Sequence, residues 1–131
     1  MGGETNLDNL IKLLDAKLND GLYAFVTVQP DKIPAHLNPR MIFQEAEGTT
    51  LIVLESEATT HALSYEFPCR MITLNIHSSL AAVGFMARIA TALAKHGMGV
   101  NPVSGFFHDH LFVPDGREQD ALAVLHDLAN A

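Results

Sequence analysis

The stretch "MITLNIHSSLAAVGFMARIATALAKHGMGVNPVSGFFHDHLFVP", Met71–Pro114, holds the pattern that decides the fold. Apolar residues alternate from Met71 to His77, which is typical of a strand with one buried face. From Leu80 to Lys95 apolar residues recur at helical spacing, which predicts a helix. Two further strands, 98–107 and 108–113, follow with a tight connection between them. The order is therefore strand, helix, strand, strand.

The flanking sequence adds elements on both sides of this stretch. A turn at Pro114–Gly116 leads into a last helix whose leucines face inward. At the other end, Thr5 caps a predicted helix whose apolar stripe runs to Leu18. The strand Leu22–Val28, an irregular proline-rich loop and a hairpin that turns at Glu47-Gly48 follow.

This order of elements is typical of an α+β fold. Strands mixed with helices on one face of an antiparallel sheet indicate the ferredoxin-like type. We expect two such βαββα units, 1–68 (helix, strand, loop, hairpin) and 69–131. Few residues follow the last helix, so the closing strand of the second unit must come from elsewhere. Leu22–Val28 is the expected supplier, and the two units are therefore expected to exchange elements.

Composition limits the partners and the compartment. The chain has 131 residues and a formal net charge of −7, and its few basic residues do not cluster, so we expect no nucleic-acid partner. No apolar run approaches the ~20 residues that span a bilayer. One cysteine, Cys69, allows no intrachain disulfide, and "MGGETNLDNL" lacks the cationic start and apolar core of a signal peptide. A cytoplasmic location is expected.

His108 and His110 are the residues that suggest catalysis or metal binding. Alternate residues of a strand share a face, so the two imidazoles lie about 7 Å apart along the chain. Such a pair binds a metal when a third ligand, for which His61 or His77 is a candidate, completes it. A solvated or hydrogen-bonded pair at a strand start is the alternative. The sequence has no nucleophile elbow, phosphate loop, Rossmann fingerprint or thiol pair, and no cofactor is expected.

Three other positions raise a choice between a structural and a binding role. Asp109 points away from both histidines and is either a solvated turn residue or an acceptor for an ammonium or guanidinium group. Ser78-Ser79 either caps the long helix or forms, with the helix end, a receptor for a carboxylate. Gly84 permits a close backbone approach or marks the true start of the helix.

The segment "VGFMARIATALAKHGMGVNPVSG" resembles the ACT domain of amino-acid-regulated enzymes, in particular the regulatory ACT pair of aspartate kinases. Val83-Gly84 stands where that family has Pro-Gly, Gly97–Val100 stands at its Gly-Ile-Asn-like turn, and Ser104-Gly105 lies in its second strand. The wider pattern is similar to small bacterial ACT-pair proteins of unassigned activity and, more distantly, to CASTOR-type arginine sensors. The acid and the proline of the usual Asp-x-Pro-Gly are missing, since the chain reads Ala81–Gly84 there.

The resemblance implies a small-molecule binding module, usually for an amino acid. By position, the ligand carboxylate would meet backbone groups of Ser78, Ser79, Val83 and Gly84. The facing side would consist of four residues: Asn101, Ser104, Gly105 and Phe106. Asp109, which matches an acid of the sensor-like pattern, would receive the ammonium or a side-chain cation of the ligand.

The expected function is therefore a regulatory module that binds an amino acid and has no catalytic activity of its own. It is expected to form a homodimer whose sheets join side by side, and to act on a separate partner protein. Two alternatives remain open at this point. One is a metal-dependent enzyme that uses His108 and His110; the other is a protein-interaction module without a ligand.

Overall fold

The computed structural model of the protein describes residues 2–131. The helices and strands, in chain order, are α1 Leu7–Lys12, β1 Ala16–Leu18, β2 Tyr23–Val28, β3 Met41–Gln44, β4 Thr49–Leu54, α2 Glu55–Thr60, β5 Glu66–Leu74, α3 Phe85–Ala94, β6 Asn101–Ser104, β7 Asp109–Pro114 and α4 Glu118–Ala129. A short 3-10 turn, Pro30–Lys32, follows β2. The architecture is a mixed α+β fold with antiparallel strand pairs, which confirms the predicted class.

The chain forms two compact units. The first, here called the terminal unit, comprises the residues up to Asp20 together with Arg70–Ala131, and the second, the central unit, comprises Gly21–Cys69. Strand β5 contributes residues to both units. The sequence predicted two consecutive units, 1–68 and 69–131, and that division stays a prediction.

The terminal unit contains the long segment that the sequence pattern singled out. Its strands run in the order β5-β7-β6, and β1 pairs with β5 in the register Ala16↔Leu74. Helices α1, α3 and α4 bury their apolar faces in one core with the alternate residues of β5 and β7. The core includes Leu10, Leu14, Ile72, Leu74, Phe85, Ile89, Leu93, Leu111, Val113, Val124 and Leu125. Strand alternation and helical spacing thus converge on one core.

The central unit is a smaller antiparallel arrangement. Strand β4 pairs with β2 on one side and with β3 on the other, and the β3–β4 hairpin turns where the sequence predicted it. Helix α2 packs against β2 and β4, and Val26, Leu51 and Val53 lie in the core beneath it.

Two predictions about the N-terminal half are wrong. The predicted first helix ran to Leu18, but α1 ends at Lys12 and residues 16–18 form β1. Leu18 still packs against the core, because strand pairing with β5 buries it as well as a longer helix would. The second error follows from the first: β1 provides the extra strand beside β5 in the terminal unit, whereas β2, the predicted supplier, pairs with β4 and with the first residues of β5.

The C-terminal predictions need smaller corrections. Helix α3 begins at Phe85 rather than Leu80, directly after Gly84. Strand β6 ends at Ser104, so Phe106 lies in the connection to β7 and not in a strand. Pro102 lies in β6, at the end of the strand order, as its missing donor predicts. Among residues 2–131, no helix has both the length and the apolar character needed to cross a membrane.

Candidate ligand-binding site

A pocket of about 140 Å³, here called the α3 pocket, lies at the N-terminal end of α3 in the terminal unit. The loop between β5 and α3 supplies one side, and the facing ends of β6 and β7 supply the other. Its lining combines hydroxyl, apolar and carboxylate groups: Ser78, Ser79, Leu80, Ala82, Phe85, Met86, Ser104 and Asp109. The pocket is therefore amphipathic and small.

Asp109 is the charged group of this pocket. It is the first residue of β7, pairs with Ser104 of β6, and is only 8% exposed as a residue. The Ser78 hydroxyl donates to Asp109 Oδ2 across 3.0 Å. Among the described residues this is the one hydrogen bond to the carboxylate, and no Lys, Arg or His lines the pocket. A carboxylate this buried normally has a cationic partner, since burying an unpaired charge is costly.

Main-chain N–H groups of the loop before α3 already donate hydrogen bonds within the protein. The N–H of Ser78 donates to Ile76 O at 3.0 Å, and the N–H of Ser79 donates to Glu4 O at 2.9 Å. The Ser79 hydroxyl accepts from the N–H of Ala81, so this side chain shapes the loop. The expected carboxylate contacts through the N–H groups of Ser78 and Ser79 are therefore occupied within the protein.

The start of α3 provides main-chain N–H donors, whereas those of Ser78 and Ser79 in the loop are occupied. Gly84 adopts φ +90° at the N-cap position, and no side chain among the described residues caps the helix. The first N–H groups of a helix have no intrahelical partner, and the macrodipole makes that end electropositive. Phe85 and Met86 of the first turn line the pocket. The pocket thus has an electropositive helix end and, from β7, a carboxylate.

The N-terminal segment supports the loop from outside. Glu4 forms a parallel bridge with Ser78, and its N–H donates to His77 O at 2.8 Å. The Glu4 carboxylate accepts from the N–H groups of Thr5 and Asn6 and from Asn9 Nδ2. The hydrogen bond from the Asn6 main chain, with those from Asn9 and Thr5, lowers the pKa of Glu4 below its ordinary value of 4.5. Residues before α1 therefore hold the loop that presents Ser78 to Asp109.

The structure brings together some of the predicted site residues and separates others. Ser78, Ser79, Ser104 and Asp109 meet in the one pocket. The other predicted residues lie outside its lining: Val83 and Gly84 directly before α3, Asn101 at the far end of β6, and Gly105 and Phe106 in the β6–β7 connection. Phe106 lines a neighbouring pocket of about 220 Å³ together with His77, Ser79 and Leu80.

Sequence reasoning missed the apolar part of the lining. Leu80, Ala82, Phe85 and Met86 form it. Leu80 and Met86 belong to the apolar stripe of the predicted helix, so their spacing indicated core positions. Because α3 starts at Phe85, Leu80 lies before the helix and Met86 lies in its first turn, and both line the pocket. The support from Glu4 had no signal in the sequence, because it depends on a contact between distant segments.

His108 and His110 do not form a metal site with any neighbour that the structure describes. Their ring centroids lie 6.5 Å apart, and His110 Nδ1 is 2.9 Å from Thr73 Oγ1. Among residues 2–131, no group of three or more His, Cys, Asp or Glu side chains is placed to hold a metal ion. The hydrogen-bonded alternative therefore describes His110.

Comparison with known families gives the same type of domain for both halves of the chain. Two family models, both described as ACT domain, match the chain in tandem over residues 2–70 and 66–127. No curated protein matches.

Solved structures match over most of the chain. A Vibrio cholerae protein of unknown function, described as a possible transport protein, is 36% identical with a TM-score of 0.82, over 94% of this chain and 95% of that one. An Agrobacterium tumefaciens protein is 18% identical with a TM-score of 0.71, over 88% and 89% of the two chains. The ligand-free regulatory subunit of aspartate kinase from Thermus thermophilus is 11% identical with a TM-score of 0.66, over 86% and 95%. The latter two likenesses concern the fold.

Proposed function

This chain belongs to the ACT-domain family, whose members are regulatory ligand-binding domains and typically non-catalytic, and on that premise we propose that it binds an amino acid at the α3 pocket. The ligand carboxylate faces the start of α3, and the ligand ammonium faces Asp109. Ser78 and Ser104 line the pocket beside Asp109. The protein has no catalytic activity of its own in this proposal.

One observation carries the proposal: a buried aspartate, Asp109, which is 8% exposed as a residue, lines a pocket that contains no cationic side chain among the described residues. A ligand ammonium supplies the missing partner, and hydrogen bonds to charged groups contribute about 1.5–3 kcal/mol each. The electropositive start of α3 on the same pocket favours an anionic group there. Opposite charges close together are the signature of a zwitterion, and free amino acids are the commonest small zwitterions.

Binding of the ligand provides a mechanism of regulation. A ligand that contacts both α3 and β7 favours the arrangement in which these two elements are held together. The loop before α3 and the β6–β7 connection carry exposed apolar side chains, namely Leu80, Val83, Phe106 and Phe107. We propose that a ligand changes how these side chains are presented to a separate partner protein. A cytoplasmic location accompanies the proposal, because the single cysteine is a buried free thiol.

The test is a binding screen of the twenty common amino acids against the whole chain, by thermal shift and then by calorimetry. Binding to the native state raises its apparent stability, so at least one amino acid should raise the Tm. Asp109→Asn keeps an oxygen for Ser78 but removes the charge, and should weaken binding by about 10- to 100-fold. The exposed Asp127 gives a matched control, since Asp127→Asn should bind as the wild type does.

Two results would contradict the proposal. The first is no response to any amino acid, which would favour an interaction module without a ligand. The second is binding that Asp109→Asn leaves unchanged, which would move the ligand to another site.

A further inference from the structure

From the size and lining of the α3 pocket, we infer that its ligand is an α-amino acid with a short, uncharged side chain, of the size range from glycine to valine. This inference rests on the proposed function and adds to it the class of ligand. It assigns to Leu80, Ala82, Phe85 and Met86 the role of selecting the side chain.

The volume of the pocket favours a small ligand. The α3 pocket measures about 140 Å³. Pockets for drug-sized ligands measure about 300–1,000 Å³. The ammonium, the Cα atom and the carboxylate that every α-amino acid shares take up most of the available space. What remains fits a hydrogen, a methyl, a hydroxymethyl or a small branched group, whereas an aromatic ring or a long chain would project out of the pocket.

The charges on the lining exclude acidic side chains. Asp109 is the one ionisable residue among the described lining residues. A second ligand carboxylate, as in aspartate or glutamate, would have no cation to pair with and would lie within a few ångströms of Asp109. Burying a charge without a partner is strongly unfavourable, and like charges add to the cost.

Long cationic side chains meet a different obstacle. The ammonium of the ligand and its side-chain cation would both need Asp109, and the pocket offers no second carboxylate among the described lining residues. The stem of lysine or arginine would also project out of the pocket. An uncharged short side chain avoids both conflicts and contacts the apolar wall of Leu80, Ala82, Phe85 and Met86.

Met86 is the residue whose side chain can be shortened to test this. It lies in the first turn of α3, is half-buried and lines the pocket, whereas Met41 of β3 is equally half-buried and lies in the central unit. Met86→Ala enlarges the pocket, and Met41→Ala makes the same chemical change elsewhere. Loss of general stability affects both variants, but a change in ligand preference is expected of Met86→Ala alone.

The experiment is calorimetry of the whole chain with glycine, alanine, serine, threonine and valine, and with aspartate, arginine, leucine and phenylalanine. We expect the tightest ligand to come from the first group and to bind at least 10-fold more tightly than any of the second. Met86→Ala should shift the ratio of affinities toward leucine or phenylalanine by about 10-fold, within the range for hydrophobic pocket changes. Met41→Ala should leave the ratio unchanged.

The possible failures separate from one another. Tight binding of aspartate, arginine, leucine or phenylalanine would overturn the inference about the side chain and leave amino-acid binding in place. An unchanged affinity ratio in Met86→Ala would show that these residues do not select the side chain. No binding of any amino acid would overturn the proposed function itself, and the inference with it.

Discussion

At the scale of single residues, Gly3 shows how closely the N-terminal segment is fitted to the site. A Cβ atom at Gly3 would lie 2.4 Å from His77 O and 2.5 Å from Ser78 C, both main-chain atoms that cannot turn away. At the adjacent Gly2 a Cβ atom would meet nothing within 4 Å. The two glycines therefore have different roles although they are neighbours in an unremarkable sequence.

Gly3→Ala is predicted to destabilise the protein by about 1–3 kcal/mol, the usual range for overpacking. The added methyl must displace the Glu4 bridge from the loop, so the Ser79 N–H should also lose protection from hydrogen exchange. Chemical denaturation and exchange by NMR measure the two effects. Gly2→Ala is the control and should change neither quantity; equal effects of both substitutions would contradict the prediction.

Glu4 makes this contact dependent on pH. Its folded-state pKa is lowered, mainly by the hydrogen bond from the Asn6 main chain, so the carboxylate stabilises the native state above the unfolded pKa. That stabilisation is lost as the pH falls below 4.5 and through the lower folded value. Glu4→Gln should therefore be less stable than wild type at pH 7, and the two should converge as the pH falls below the folded-state pKa of Glu4.

The convergence is measured by denaturation at several pH values with and without the substitution. Thr5→Ala leaves the Thr5 main-chain donor in place, so its stability difference from wild type should not vary over the same pH range. A Glu4→Gln difference that is constant from pH 7 to pH 3 would show that the carboxylate charge is unimportant.

At the scale of elements, the start of α3 determines where the pocket lies. The predicted helix began at Leu80, but the chain turns through Gly84 at φ +90° and the helix begins one residue later. If residues 80–84 were helical, they would fill the space that now forms the pocket, and the free N–H groups would lie further from Asp109. The conformation of Gly84 thus ends the loop that forms one wall of the pocket and allows α3 to begin at Phe85.

Gly84→Ala is predicted to cost about 1–2 kcal/mol, because a residue with a Cβ atom disfavours this left-handed conformation. The change should also weaken amino-acid binding, since relaxation of the strain shifts the first turn of α3. Gly99 provides the control, with no left-handed φ and no atom within 4 Å of an added Cβ. Denaturation and calorimetry of both variants measure the result, and a fully stable Gly84→Ala would contradict it.

At the scale of the whole molecule, the sequence predicts a homodimer. Strand β3 is the candidate edge at which two copies pair. Strand β3 ends the strand order of the central unit, and it carries neither a charged residue nor a proline. Its Ile42 and Phe43 are 59% and 64% exposed. Natural edge strands usually carry charges or prolines that prevent pairing, and β6 has Pro102 whereas β3 has no such protection. We propose that β3 pairs with β3 of a second copy.

Ile42→Lys is therefore predicted to convert a dimer into a monomer, because it places a charge in the centre of the paired edge. Sedimentation velocity or light scattering measures the mass directly. Ile33 is also exposed but lies outside the strands, so Ile33→Lys should stay dimeric. A dimer that survives Ile42→Lys, or a wild-type monomer, would contradict the proposed edge.

Much of this protein follows from sequence alone. The alternation in β5, the helical spacing in α3 and the hairpin at Glu47-Gly48 determine the α+β class, since each depends on local geometry that a short segment specifies. Four of the expected site residues, Ser78, Ser79, Ser104 and Asp109, meet because the fold brings the loop before α3 to the end of the β6–β7 hairpin.

Tertiary structure alone decided the rest. Residues 16–18 became β1 because pairing with β5 buries the same leucine that a helix would bury, and a periodicity in one segment cannot distinguish these outcomes. The near absence of partners for Asp109, the apolar pocket wall and the support from Gly3 and Glu4 all arise from contacts between residues far apart along the chain. The spacing of residue types specifies elements, but the size and charge balance of a pocket depend on how those elements pack, and these properties select the ligand.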